Sequence, residues 1–107
     1  MILKVFCVYD SKAEAYLTPF FLPTVGQALR AFSDTANDNT TNIYRHPGDY
    51  TLFQVGEFDA VAGKFLQHDA KINLGMAQEF KKQITFEELK QQNLSKLDTW
   101  NSEAKNG

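Results

Sequence analysis

The stretch Ile2-Leu3-Lys4-Val5-Phe6-Cys7-Val8-Tyr9 decides the fold, because every later element must pack on one of its two sides. It is rich in β-branched and aromatic residues and ends at Asp10-Ser11, a turn signal, so it reads as a strand. Strand geometry sends alternate side chains to opposite faces. Leu3, Val5, Cys7 and Tyr9 form one face, uniformly apolar, which reads as core. Ile2, Lys4, Phe6 and Val8 form the other, where a lysine shares space with large apolar groups.

Working outward, the next segment is SKAEAYLTPFFLP, residues 11–23. Ser11 and Glu14 have the spacing of a helix cap, but Pro19 leaves room for barely two turns, too short for a stable isolated helix. Thr18 and Leu22 each precede a proline and are steered away from helical angles. The segment therefore reads as a turn followed by an irregular, partly extended run. Phe20 and Phe21 stand back to back, and adjacent residues of an extended chain point oppositely. One of the two is expected inside and the other at an interface or ligand surface.

Thr24 opens the main helix, with Gln27 three residues on completing a capping-box pattern. Val25, Leu29, Phe32 and Ala36 follow at helical spacing, and Arg30, Asp34 and Thr35 point outward. Residues 37–42 form a polar, turn-rich loop, and His46-Pro47-Gly48-Asp49 marks a second turn. A strand follows over Tyr50–Phe58. Strict alternation places Phe53 and Val55 on one side and Tyr50, Leu52 and Phe58 on the other. Asp59–Gly63 is a hairpin loop, Lys64–His68 a third strand, and Ile72–Met76 a further short extended piece. From Gln83 the composition turns to Gln, Lys, Glu and Asn. Thr85 and Glu88 supply another cap, with Phe86, Leu89 and Leu97 as a narrow apolar stripe.

The expected architecture is α+β: a small antiparallel sheet of three to four strands with one main helix on one face, plus a C-terminal helical tail. Residues 1–82 form the single domain, and residues 83–107 a polar helical extension that frays at its end. One helix covers one sheet face, so something must cover the other.

Composition narrows the function. The chain has 107 residues, 13% of them aromatic, and a net charge of −2. Residues 1–59 carry four cations against seven acids, and residues 60–107 carry seven against six. Neither half is a basic arm, so nucleic-acid affinity would have to come from a local face supplemented by stacking. Cys7 is the only cysteine, which points to a reducing compartment. No signal peptide and no membrane span is expected from the apolar runs present. Cys7 alternates with core residues without a cationic neighbour, and His46 with Asp49 sits in a Pro-Gly turn, so neither reads as catalytic. No motif for phosphate cradling, metal binding or nucleophilic catalysis occurs. The expectation is a non-enzyme without cofactor or metal.

Aromatic and basic residues do interleave, at Lys4/Phe6, Lys12/Tyr16, Tyr44/Arg45 and Lys64/Phe65. Single-strand binders use this chemistry, stacking bases on rings while cations follow the phosphates. The candidate contact residues are Lys4, Phe6, Lys12, Tyr16, Phe20, Arg45 and Lys64. Lys4 with Phe6 leads, on the assumption that both lie on the face that the helix leaves open.

Five blocks carry a family resemblance: YDSKAEAYLTPFF (residues 9–21), TVGQALRAFSD (24–34), HPGDYTLFQVGEFD (46–59), GKF (63–65) and LGMAQEF (74–80). In order and spacing they resemble the small non-structural protein of gokushovirus-type microviruses, phages with single-stranded DNA genomes. The resemblance implies a protein of the host bacterial cytoplasm, left out of the virion, that acts in viral DNA replication by binding single-stranded DNA. It carries no assigned binding residues. The partners expected are single-stranded DNA, phage or host replication proteins and a second copy of the chain. An alternative is an adaptor that modulates a replication protein without touching DNA.

Overall fold

The computed structural model describes residues 1–82, and the predicted helical extension over 83–107 lies outside the described residues. The order of elements is β1 (Ile2–Asp10), β2 (Ala15–Tyr16), β3 (Phe20–Leu22), α1 (Val25–Ala36), α2 (Asn42–Arg45), β4 (Tyr50–Asp59), β5 (Lys64–Met76) and α3 (Ala77–Phe80). Among the described residues the fold is α+β, with one antiparallel sheet of five strands and three short helices, so the sheet is larger than the sequence suggested. Strand β1 is flanked on one edge by β2 and β3 and on the other by β4, and β5 completes the order beyond β4.

The added strands come from the segment expected to be irregular. Asp10 closes β1 with an Asx turn, its Oδ1 accepting from the amides of Lys12 (3.0 Å) and Ala13 (3.2 Å). Glu14 completes the reversal at φ 56°. The chain then runs back along β1, pairing Tyr16 with Tyr9 and later Phe20, Phe21 and Leu22 with Phe6, Val5 and Lys4. Pro19 stands just before β3, on the sheet edge, where a missing amide costs no ladder bond.

Helix α1 begins as read from the sequence. Thr24 is extended, and its hydroxyl accepts the Gln27 amide at 3.1 Å. The helix settles on the sheet through Ala28, Phe32 and Ala36, all buried, and the two alanines allow close approach. The core joins them to Phe6, Val8, Tyr50, Leu52 and Ala77, with Phe20, Leu22, Val25, Leu29 and Phe80 around the margin. A second cap, invisible as a helix signal within the polar loop, is Thr41, whose Oγ1 accepts the Tyr44 amide and starts α2.

The face assignment of β1 is reversed from expectation. Phe6 is 0% exposed and lies under α1, whereas Leu3, Val5, Cys7 and Tyr9 face away from the helix. Alternation tells which residues share a face but not which face the helix takes. Strand β4 makes that choice: its register sets Leu52 beside Val8 and Tyr50 beside Asp10, which gives the Phe6 side the larger apolar group.

Strand β4 carries a second departure. Phe6 pairs with Gln54 but Val5 pairs with Gly56, which leaves Val55 as an extra residue. This bulge inverts the alternation beyond it. Phe58, expected beside Tyr50 and Leu52, therefore crosses to the side away from the helix and pairs with Leu3 and Phe65. Gly56 sits at the irregularity because a Cβ there would run into the backbone carbonyl oxygen of Leu66. Strand β5 is one continuous element, not two, with its own register shifts opposite Leu52–Phe53 and Gln54–Gly56.

The chain is tied off by Asn37 at the end of α1. Its Nδ2 donates to the carbonyls of Ser33 (2.7 Å) and Phe80 (2.9 Å), and its Oδ1 accepts the Lys82 amide at 2.8 Å. Phe80 packs edge-on against Phe32 at 5.5 Å, and the Lys81 ammonium lies 3.4 Å above the Tyr44 ring.

Candidate functional site

The side of the sheet away from α1 is where aromatic rings gather. Near one end, Tyr9 and Tyr16 are held together by the β1–β2 register with ring centres 4.8 Å apart, and Phe53 meets Tyr16 edge-on at 6.1 Å. Towards the other end, Phe58 and Phe65 are cross-strand partners at 4.7 Å, and Phe21 approaches both, at 5.8 and 6.0 Å. The bulge at Val55 creates this second cluster, since without it Phe58 would point to the helix side. Between the clusters lies a groove of about 370 Å³, lined by Val5, Cys7, Pro19, Phe21, Gly56 and Phe65 among others.

Among the described residues, Lys71 places a cation on this face. The Lys71 ammonium lies 5.4 Å from the centre of the Tyr16 ring, a cation–π distance. It is also close enough to Cys7 to act on its thiol. Burial nevertheless dominates there and pushes the Cys7 thiol above its ordinary value, with Lys71 opposing more weakly. A thiol held protonated is a poor nucleophile and a poor metal ligand, and its place on the groove floor is that of an apolar group. Among the described residues, no three side chains of the His, Cys, Asp and Glu types gather as a metal ion would need. None of the described helices is long and apolar enough to cross a membrane.

The residues singled out from the sequence are dispersed by the fold. Tyr16 is the one that joins the open aromatic face, 44% exposed. Lys12 lies in the exposed turn that leads into it. Phe6 is corrected outright: it is sealed in the core, so no partner reaches it. Lys4 lies on the helix side of the sheet as the cross-strand neighbour of Glu57 and Leu22, which corrects its placement on the open face. Phe20 turns inward and stacks on Phe6 at 5.5 Å with planes 26° apart. Its neighbour Phe21 is the outward member, 40% exposed. Arg45 is at the end of α2 in the helical layer, its guanidinium donating to Asn42 Oδ1 at 2.9 Å. Lys64 opens β5 at the far hairpin. Sequence reading left open which of Phe20 and Phe21 faces outward and chose Phe20 for the contact list, and it missed Phe53, Phe58 and Lys71. A pair of rings separated by dozens of residues leaves no local spacing signal, and the bulge reverses the one that alternation would supply.

The fold and this face define a small sheet-and-helix module with one layer of helix and, on the other side, an aromatic surface that no described helix covers. The sequence profile of the Phage ORF5 protein family matches residues 3–80, which takes in every strand of that surface. The chain belongs to the Phage ORF5 protein family. Comparison with curated proteins and with solved structures gives no match.

Proposed function

We propose that this phage-family protein binds single-stranded DNA across the open aromatic face and acts in viral DNA replication in the host cytoplasm. The observation that carries the reading is the pair of ring clusters on one uncovered sheet face, with Lys71 beside Tyr16. Exposed rings accept unstacked bases at about 1–3 kcal/mol each, whatever the sequence, and one sheet face presents both clusters. The resemblance to the non-structural protein of gokushovirus-type microviruses, whose genomes are single-stranded, supports the same substrate. With a net charge of −2, phosphate contacts are few and stacking carries most of the affinity. A labelled oligonucleotide titrated by fluorescence anisotropy should therefore show binding with a shallow salt dependence, and a stronger response to single strands than to duplex. Absence of binding at low salt would remove the proposal.

The adaptor reading is favoured by one observation: the groove between the clusters is lined almost wholly by apolar atoms, as a protein side chain would suit. Salt-insensitive capture of a replication protein by DNA-free material would speak for it.

A further inference from the structure

The far end of the sheet, built from the start of β1, the Asp59–Lys64 hairpin and the start of β5, is apolar on both of its sides. Phe65 pairs with Phe58 on the open side and is 69% exposed. Leu66 pairs with Glu57 on the helix side, beyond the reach of α1, and is 62% exposed. Ile2 and Val61 add further exposed apolar surface at the same end. Strand alternation points the two side chains to opposite faces, so an occupant that straddles the arm covers both most fully.

We propose that this arm is the contact between two copies of the chain. The surface is self-complementary, the condition for a two-fold contact in which each copy gives what it receives. Phe65 and Leu66 border two hollows, the 370 Å³ groove on the open side and one of about 340 Å³ that Ile2, Glu57, Asp59 and Lys64 complete. The second hollow also carries both signs of charge, so that Lys64 of each copy can face Glu57 or Asp59 of the other. Met1, Ile2, Val61, Phe65 and Leu66 are all exposed, which concentrates apolar surface at this one end. The arm shares Phe65 with the second ring cluster, whereas Leu66, Ile2 and Val61 lie outside the nucleic-acid reading and Tyr16, Phe21 and Phe53 lie outside the arm.

Sedimentation equilibrium of the full chain, without DNA, tests it. The wild type is expected to be a dimer at micromolar concentration. Leu66→Asp and Phe65→Asp, each at a largely exposed position, should each raise the dissociation constant at least tenfold while circular dichroism stays native. Leu17→Asp, exposed but away from the arm, should leave the dimer intact. If an aspartate variant loses its fold, Leu66→Ser and Phe65→Ser take its place. A wild type that stays monomeric at 100 μM, or a dimer indifferent to changes at both 65 and 66, would overturn the proposal. Oligonucleotide binding, measured separately on the same proteins, keeps this outcome distinct from that of the DNA reading.

Discussion

Phe20 and Phe21 are consecutive in the chain and serve opposite faces of one sheet. Phe20 stacks on the buried Phe6 at 5.5 Å, while Phe21 meets Phe58 and Phe65 across the open side at 5.8 and 6.0 Å. The pairing of β3 with β1 enforces the division, because Phe20 faces Phe6 and Phe21 faces Val5 in register. Phe20→Ala should therefore cost about 2–4 kcal/mol in denaturant unfolding, through lost burial and the cavity left beside Phe6. Phe21→Ala should cost less than about 1 kcal/mol, because its ring is already part-solvated.

Gly56 marks the close approach of β5 to β4. Gly56→Ala would press a methyl group into the Leu66 carbonyl, and relief requires the two strands to part. A loss of about 1–3 kcal/mol is expected, as for other overpacked sites. Increased hydrogen exchange should be concentrated in 64–67 and 54–58. Glu14 is the converse case. It holds φ 56°, a region that disfavours a Cβ, so Glu14→Gly should be neutral or stabilise by up to about 1 kcal/mol, measured by thermal melting.

Asn37 closes the described fold with three hydrogen bonds through one side chain. Asn37→Ala strands the Phe80 carbonyl and the Lys82 amide together, and a loss of about 1–3 kcal/mol should follow. The Lys82 amide should exchange faster than in the wild type, which a general loss of stability alone would not single out.

Two groups set the pH response at opposite extremes. The Asp59 carboxylate accepts the amides of Ala62 and Val61, which hold it below the ordinary carboxylate value. A group depressed in the folded state adds stability above its unfolded value and loses it as pH falls through the folded one. The hairpin should loosen below about pH 4, and Asp59→Asn should reduce that acid sensitivity. Burial raises the Tyr50 phenol, with nearby Asp10 adding to the shift. Here the contribution is complete below the unfolded value and is lost as pH rises through the folded one. Stability should fall above about pH 10, and Tyr50→Phe should flatten that limb in melts taken across alkaline pH.

Local chemistry made much of this fold legible. The Thr24 cap, the apolar stripe of α1, the boundaries of β1 and β4 and the Asp59–Gly63 loop all follow from short-range rules and occur where those rules place them. What escaped was decided at a distance. Strands of two and three residues have no period to detect, so β2 and β3 exist only because β1 offers an edge. The face of β1 that the helix takes was settled by β4, and the extra residue at Val55 moved Phe58 across the sheet. Those two events displaced Lys4 and Phe6 from the candidate surface and put Phe53, Phe58 and Lys71 on it. Aromatic residues could be counted in the sequence, but their shared face could not.

The proposed function places single-stranded DNA on the open face and nowhere else on the molecule. The most direct measurement is anisotropy of a labelled oligothymidylate titrated with the wild type, Tyr16→Ala, Phe21→Ala and Arg45→Ala at fixed low salt. Losing one stacking ring should weaken binding about 5- to 150-fold, the range that 1–3 kcal/mol represents. Arg45, in the helical layer, should be silent. A wild type that does not bind, or an Arg45→Ala loss equal to that of Tyr16→Ala, would contradict the account.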